Sequence, residues 1–356
     1  MNIDDFIIPP REYRTEEWQL GHIISNELKE NSIALIFVSD YRGAGGEAEV
    51  STFHNVRKIL YRLSRYDFEI PICDLGNLIS GKSLQDTHYI LQEVISSCLY
   101  KGSIPVVIGG GVDLSYAMFS AVNFHQKNNS YTHISNILSL VDSGGDVNEY
   151  NFLSRIFSTK SFSLLNFHFL GYQKHLNELN SVKLIKDVEF DILRLADMMN
   201  NTGRMEPFFR KADLVTVNCD AIESVGEPFS VHPQVNGLNN REACAYMKEA
   251  GLSEVLKGVG IFNFNINSDN GLHHQLLAQM IWYLMEGINI QKSHPVERNF
   301  ETFIVLVDEV EYIFKRDTFS DLWYYGDDDD IRHCVPCARE DYEDAKRGIL
   351  NKRFFR

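Results

Sequence analysis

The stretch Val106-Val-Ile-Gly-Gly-Gly-Val-Asp-Leu-Ser-Tyr116 runs a β-branched apolar segment straight into three glycines. An apolar run without alternation marks a strand covered on both faces, and the glycines permit a tight turn from that strand toward a helix. The same pattern recurs outward in both directions. Short apolar runs at 33–39, 70–74, 105–108, 137–142, 163–170, 214–219, 258–263 and 303–307 read as strands. Between them, 50–65, 87–100 and 273–286 carry apolar residues at helical spacing, with Leu276, Leu277, Met280, Ile281 and Leu284 on one stripe. This order predicts an α/β fold, a three-layer α/β/α arrangement around a mostly parallel central sheet. No repeat, Gly/Ser or Pro-rich linker or low-complexity tract divides the 356 residues. The reading is one domain over 1–356, with 300–356 as a C-terminal extension of it.

With 44% hydrophobic residues the chain can bury a large core, and its formal net charge of −15 repels polyanions. Nucleic acid is therefore not an expected partner. No apolar stretch reaches the roughly 18 residues of a membrane span, and the acidic start, stopped by Pro9 and Pro10, is unlike a secretory segment. The six cysteines, at 73, 98, 219, 244, 334 and 337, are scattered and read as reduced thiols. Together these features predict a cytoplasmic protein without membrane insertion. Asp327-Asp-Asp-Asp330 reads as a solvated acidic loop.

Open parallel sheets bind ligands beyond the carboxyl ends of their strands. Three segments are expected there: Gly109-Gly-Gly-Val-Asp113, Val141-Asp-Ser-Gly-Gly-Asp146 and Val217-Asn-Cys-Asp-Ala-Ile-Glu223. In this order and spacing they resemble the ureohydrolase family (arginase, agmatinase, formiminoglutamase), with its patterns Gly-Gly-Gly-His-Asp, Asp-Ala-His-x-Asp and Ser-x-Asp-x-Asp-x-x-Asp. Val235-Asn-Gly-Leu-Asn-Asn-Arg-Glu242 resembles the family's Gly-Leu-Ser/Thr-x-Arg-Glu element. Asp308-Glu-Val-Glu-Tyr-Ile-Phe-Lys315 and Cys337-Ala-Arg-Glu-Asp-Tyr342 resemble the formiminoglutamase-like branch. At motif level the resemblance spans about residues 100–290. It implies an arginase-like fold, two manganese ions sharing an activated water, and homo-oligomeric assembly. For Glu242 it implies a contact to the guanidino or formimino end of a substrate.

Ligand by ligand, the sequence departs from that pattern. Val112 stands at the first histidine, Gly144 at the second and Asn218 at one aspartate. Valine and glycine offer no lone pair, and an amide oxygen is a neutral ligand. Asp142, Asp146 and Asp220 match carboxylate positions, and Glu223 takes the place of the downstream aspartate. Three carboxylates suit one weakly held Mn²⁺ or Mg²⁺ rather than a bridged pair. The expectation is a catalytically impaired ureohydrolase-fold protein, without a resident cofactor, acting through a protein partner or a small ligand. The alternative is a metal-dependent hydrolase of a C–N bond in a linear amidine, with one Mn or Mg ion in an atypical site.

The remaining candidates have plainer readings. His125, His133 and His168 are expected as packed, hydrogen-bonded core residues, whereas His232, His273 and His274 sit at loop or helix-start positions near the crevice. Cys219 reads as an inward strand thiol, since no base partner is visible beside it. Cys334-Val-Pro-Cys337 reads as an ordinary reduced pair, because no second cysteine pair completes a zinc site.

Overall fold

A computed structural model describes residues 3–51, 53–141 and 144–355. Its large sheet contains β1 (Ile7–Ile8), β2 (Ile33–Phe37), β3 (Ile72–Leu78), β4 (Ile104–Ile108), β5 (Asn129–Ile134), β6 (Leu164–Tyr172), β7 (Asp191–Arg194), β8 (Leu214–Asn218) and β9 (Gly258–Phe262). They lie in the order β1-β3-β2-β4-β9-β8-β5-β6-β7. Only β1 runs antiparallel to its neighbour. The helices are α1 (His54–Leu60), α2 (Leu84–Tyr100), α3 (Ser115–His125), α4 (Phe152–Ser158), α5 (Leu179–Asp187), α6 (Leu195–Met198), α7 (Thr202–Met205), α8 (Asn240–Gly251), α9 (Gly271–Ser293) and α10 (Arg339–Ala345).

Successive residues of a strand point to opposite faces, and here both faces are covered. Ile33, Leu35 and Phe37 join a core with α1, α8 and α9, while Ala34 and Ile36 join another with α2, α3 and α4. That is why the strand sequences read as unbroken apolar runs rather than alternating ones. The predicted three-layer α/β/α arrangement is the one observed. No helix among the described residues is long and apolar enough to cross a membrane.

Two strand expectations need correction. Residues 137–141 form no strand, residue 142 lies outside the described residues, and the sheet strand of this region is β5, eight residues earlier at its start. Polar Asn129, Ser130, Thr132 and His133 hid it, yet all four are buried with partners. Ser130 N–H donates to Asp213 Oδ2 at 2.9 Å, Thr132 Oγ1 donates to the Phe208 carbonyl at 2.6 Å, and His133 Nδ1 lies 2.7 Å from Thr216 Oγ1. Polar groups with such partners can be buried at small net cost. The second correction concerns 303–307, which belongs to β10 (Phe300–Val307) in a separate antiparallel sheet. There β10 pairs with β11 (Val310–Asp317), followed by β12 (Trp323–Tyr325) and β13 (Val335–Cys337). The helix expected over 50–65 is confined to α1, and β7 was not anticipated.

The second sheet has its own small core of Val305, Phe314, Trp323, Cys337, Ala345 and Phe354. Arg210, fully buried, fastens it to the main layer. Its guanidinium pairs with Glu206 and donates to the carbonyls of Trp323 and Cys337. Arg298 adds a second tie, bonding Glu254 at 2.7 Å and also pairing with Asp317.

Candidate functional site

Beyond β4 the glycine triplet turns the chain. Gly109 and Gly110 take φ of 85° and 75°, a region that L side chains avoid. Gly111 has an ordinary φ, but a Cβ there would stand 2.2 Å from Asp113 Oδ1, and one on Gly43 would stand 2.0 Å from Asp113 Cγ. These two glycines make room for a carboxyl that is completely buried. Asp113 Oδ2 meets His88 Nε2 at 2.7 Å, while Oδ1 has no hydrogen-bond partner among the described residues. Burial raises the pKa of Asp113, and His88 offsets only part of that.

Next to it, Val112 donates its N–H to Asn263 Oδ1 at 2.8 Å. Asn263 follows β9 directly and donates through Nδ2 to Asp220 Oδ2 at 2.6 Å. The other oxygen of Asp220 accepts the His232 N–H at 2.8 Å. Asn218 closes the turn after β8: its Oδ1 accepts the Asp220 N–H at 2.9 Å, and its Nδ2 donates to Ser135 Oγ at 3.3 Å. Amides, a hydroxyl and one carboxylate thereby join the carboxyl ends of β4, β9, β8 and β5. Burial raises the pKa of Asp220, against the opposing hydrogen bonds from Asn263 and His232.

The remaining sequence candidates lie elsewhere. Asp142 lies outside the described residues. Asp146 and Gly144 sit on an exposed loop, where Asp146 pairs with the Gln85 amide and Gly144 has φ 64° with open space around it. The residues that actually follow β5 are Ser135-Asn136-Ile137-Leu138-Ser139, which contain neither carboxylate nor imidazole. The segment read as the motif, 141–146, therefore does not follow β5 directly. Glu223 is only partly exposed, and its N–H donates to the Leu238 carbonyl.

Glu242 caps α8. Its oxygens accept the Asn239 N–H at 3.0 Å and the Asn200 N–H at 2.9 Å.

The histidines divide in the same way. His133 is a core residue and His168 is half-buried on Asp191 at 2.9 Å, as expected. His125 is not a core residue: it is exposed at the end of α3, with its ring against Tyr100. His232, at the crevice rim, lies 2.8 Å from Glu149 Oε2, a bond that raises its pKa. His273 meets Ser268 Oγ at 2.7 Å, and His274 packs on Phe264. All six cysteines are buried free thiols. Burial pushes Cys219 well above the usual thiol range, which removes nucleophilic character.

A two-manganese centre requires carboxylates and imidazoles converging on two nearby cations. Among the described residues no three His, Cys, Asp or Glu side chains converge on a common point, and both oxygens of Asp220 are engaged. The described donors do not fit such a pair.

No protein-family model matches the chain, and no curated protein is similar to it in sequence. Solved structures are similar in fold. A Trypanosoma cruzi formiminoglutamase with Mn²⁺ superposes with a TM-score of 0.68 at 19% identity, covering 78% of this chain and 99% of that one. A Bacillus subtilis formimidoylglutamase gives 0.67 at 15%, covering 79% and 95%. The proclavaminate amidino hydrolase of Streptomyces clavuligerus gives 0.64 at 14%, covering 78% and 98%. The chain therefore has the fold of formiminoglutamases and other arginase-superfamily proteins.

Proposed function

We propose that this is a ureohydrolase-fold protein whose crevice has given up metal-assisted hydrolysis and which works by binding another protein. The supporting observation is the hydrogen-bond chain Val112–Asn263–Asp220–His232, which occupies the strand ends with groups that need no cation. Water activation near neutral pH loses its main driving term without paired cations. Support for a protein partner comes from β10, an eight-residue edge strand with Ile304 and Leu306 exposed on its outer face. Uncovered apolar edges of that length pair readily with another chain. A second copy of this chain is the simplest partner.

The test is elemental analysis of protein purified from manganese-supplemented cells, together with assays of urea and ammonia or formamide release from arginine, agmatine and formiminoglutamate. The expectation is far less than one manganese per chain and no turnover. About two equivalents of manganese, with turnover abolished in Asp220→Ala, would instead establish a hydrolase with an atypical site.

A further inference from the structure

At the opposite, amino end of the sheet, a cavity of about 620 Å³ opens between the ends of α8 and α9 and the second sheet. Glu249, Leu252, Ile290, His294, Phe319 and Trp323 line it. It is separate from the crevice, since Arg210 and Leu252, which also line it, precede β8 and β9.

The charges around this cavity do not balance at one point. Arg210 is paired with Glu206, Lys248 Nζ lies 3.0 Å from Glu286, and Asp321 lies 3.4 Å from Arg316. Arg339 and Glu340 stand exposed at the rim and offset one another in charge. Alone among the inner charged side chains, that of Glu249 makes no hydrogen bond or ion pair with a described residue. His294 Nδ1 is also buried without a hydrogen-bond partner among the described residues. A buried unpaired nitrogen such as His294 Nδ1 is costly, and the partly buried carboxylate of Glu249 beside the same cavity is free to take a partner. The wall beside Glu249 is apolar and aromatic, which selects a ligand with a hydrocarbon body.

We propose that this cavity binds a small organic cation, an ammonium or guanidinium on an apolar body, through the carboxylate of Glu249. A neutral ligand would leave the charge of Glu249 uncompensated, and an anion would face that carboxylate while Arg210 and Lys248 are already committed to Glu206 and Glu286. Burial and the neighbouring Glu206 hold the free carboxyl up at about 7, with Lys248 and Arg210 opposing. A bound cation favours the ionised carboxylate, so binding at neutral pH releases a proton.

Calorimetric titration of the full chain with benzylamine, with benzyl alcohol as the neutral control, tests the proposal. One saturable site for the amine is expected and none for the alcohol. Glu249→Gln should weaken amine binding at least tenfold, and Asp220→Asn, in the crevice, should leave it unchanged. Repeating the wild-type titration at pH 7 in buffers of different ionisation heat should show proton release, a readout that needs no variant. Absence of saturable binding, equal binding of the alcohol, full retention in Glu249→Gln or loss in Asp220→Asn would each overturn the assignment. None of these outcomes depends on the manganese content, so this proposal and the loss of hydrolysis stand or fall separately.

Discussion

Asn263 Nδ2 stands 2.6 Å from Asp220 Oδ2, so a side-chain amide engages one oxygen of the carboxylate that follows β8. The same amide receives the N–H of Val112, which makes Asn263 the hinge of the whole arrangement. Replacing it with alanine strands a buried carboxylate and a buried backbone donor together. Each such loss costs about 1–3 kcal/mol, so urea denaturation of Asn263→Ala should show a drop of about 2–6 kcal/mol. Asn263→Asp places a second carboxylate against Asp220 and should be at least as damaging.

Gly111→Ala should be destabilising although its backbone angle suits alanine, because the new methyl would collide with Asp113. Overpacking of this kind costs about 1–3 kcal/mol. Shortening the obstacle should relieve it: the double variant Gly111→Ala/Asp113→Ala is expected to be less destabilised than the sum of the two single changes. Strict additivity in that cycle would show that the contact with Asp113 is not the cause.

Light scattering should find the chain larger than its 40.9 kDa monomer, in keeping with the exposed edge of β10. Charges on an outward face of an edge strand block pairing. The double variant Ile304→Lys/Leu306→Lys should therefore run as a monomer with an unchanged circular dichroism spectrum. Monomeric behaviour of the wild type at tens of micromolar would count against self-association.

The pH dependence of Glu249 has a definite sign. Its carboxyl is held up at about 7, above its unfolded value, so the folded state binds the proton more tightly. Stability is unaffected below about pH 4.5 and is lost as pH rises toward 7, by no more than about 3 kcal/mol. Glu249→Gln carries no such penalty. Thermal melts should show the variant gaining on the wild type between pH 5 and 8 and tracking it at pH 4.

The layered fold was legible because buried parallel strands advertise themselves as apolar runs, as at Val106–Ile108. Strand β5 was not, since Ser130, Thr132 and His133 earn their place only through Asp213, Phe208 and Thr216, partners at least 76 positions away. The strand expected over 137–142 would have ended at the motif read over 141–146, whereas β5 ends at Ile134 and is followed by Ser135–Ser139. Val112 lies beyond β4, Asn218 ends β8 and Asp220 follows it, and both strands were legible as apolar runs. Glu242 caps α8 through the Asn239 N–H, a local role that the resemblance did not imply. The cavity at Glu249 had no sequence signal, because it forms only where the second sheet meets α8 and α9.

The buried guanidinium of Arg210 also bears on how the chain can be dissected. Two of its acceptors are main-chain oxygens contributed by the last forty residues, at Trp323 and Cys337. A shortened version ending after α9 would strip those acceptors from a cation sealed beneath them. The trimmed product should misassemble, and crystallographers or binders' engineers who want a minimal scaffold should keep the tail attached.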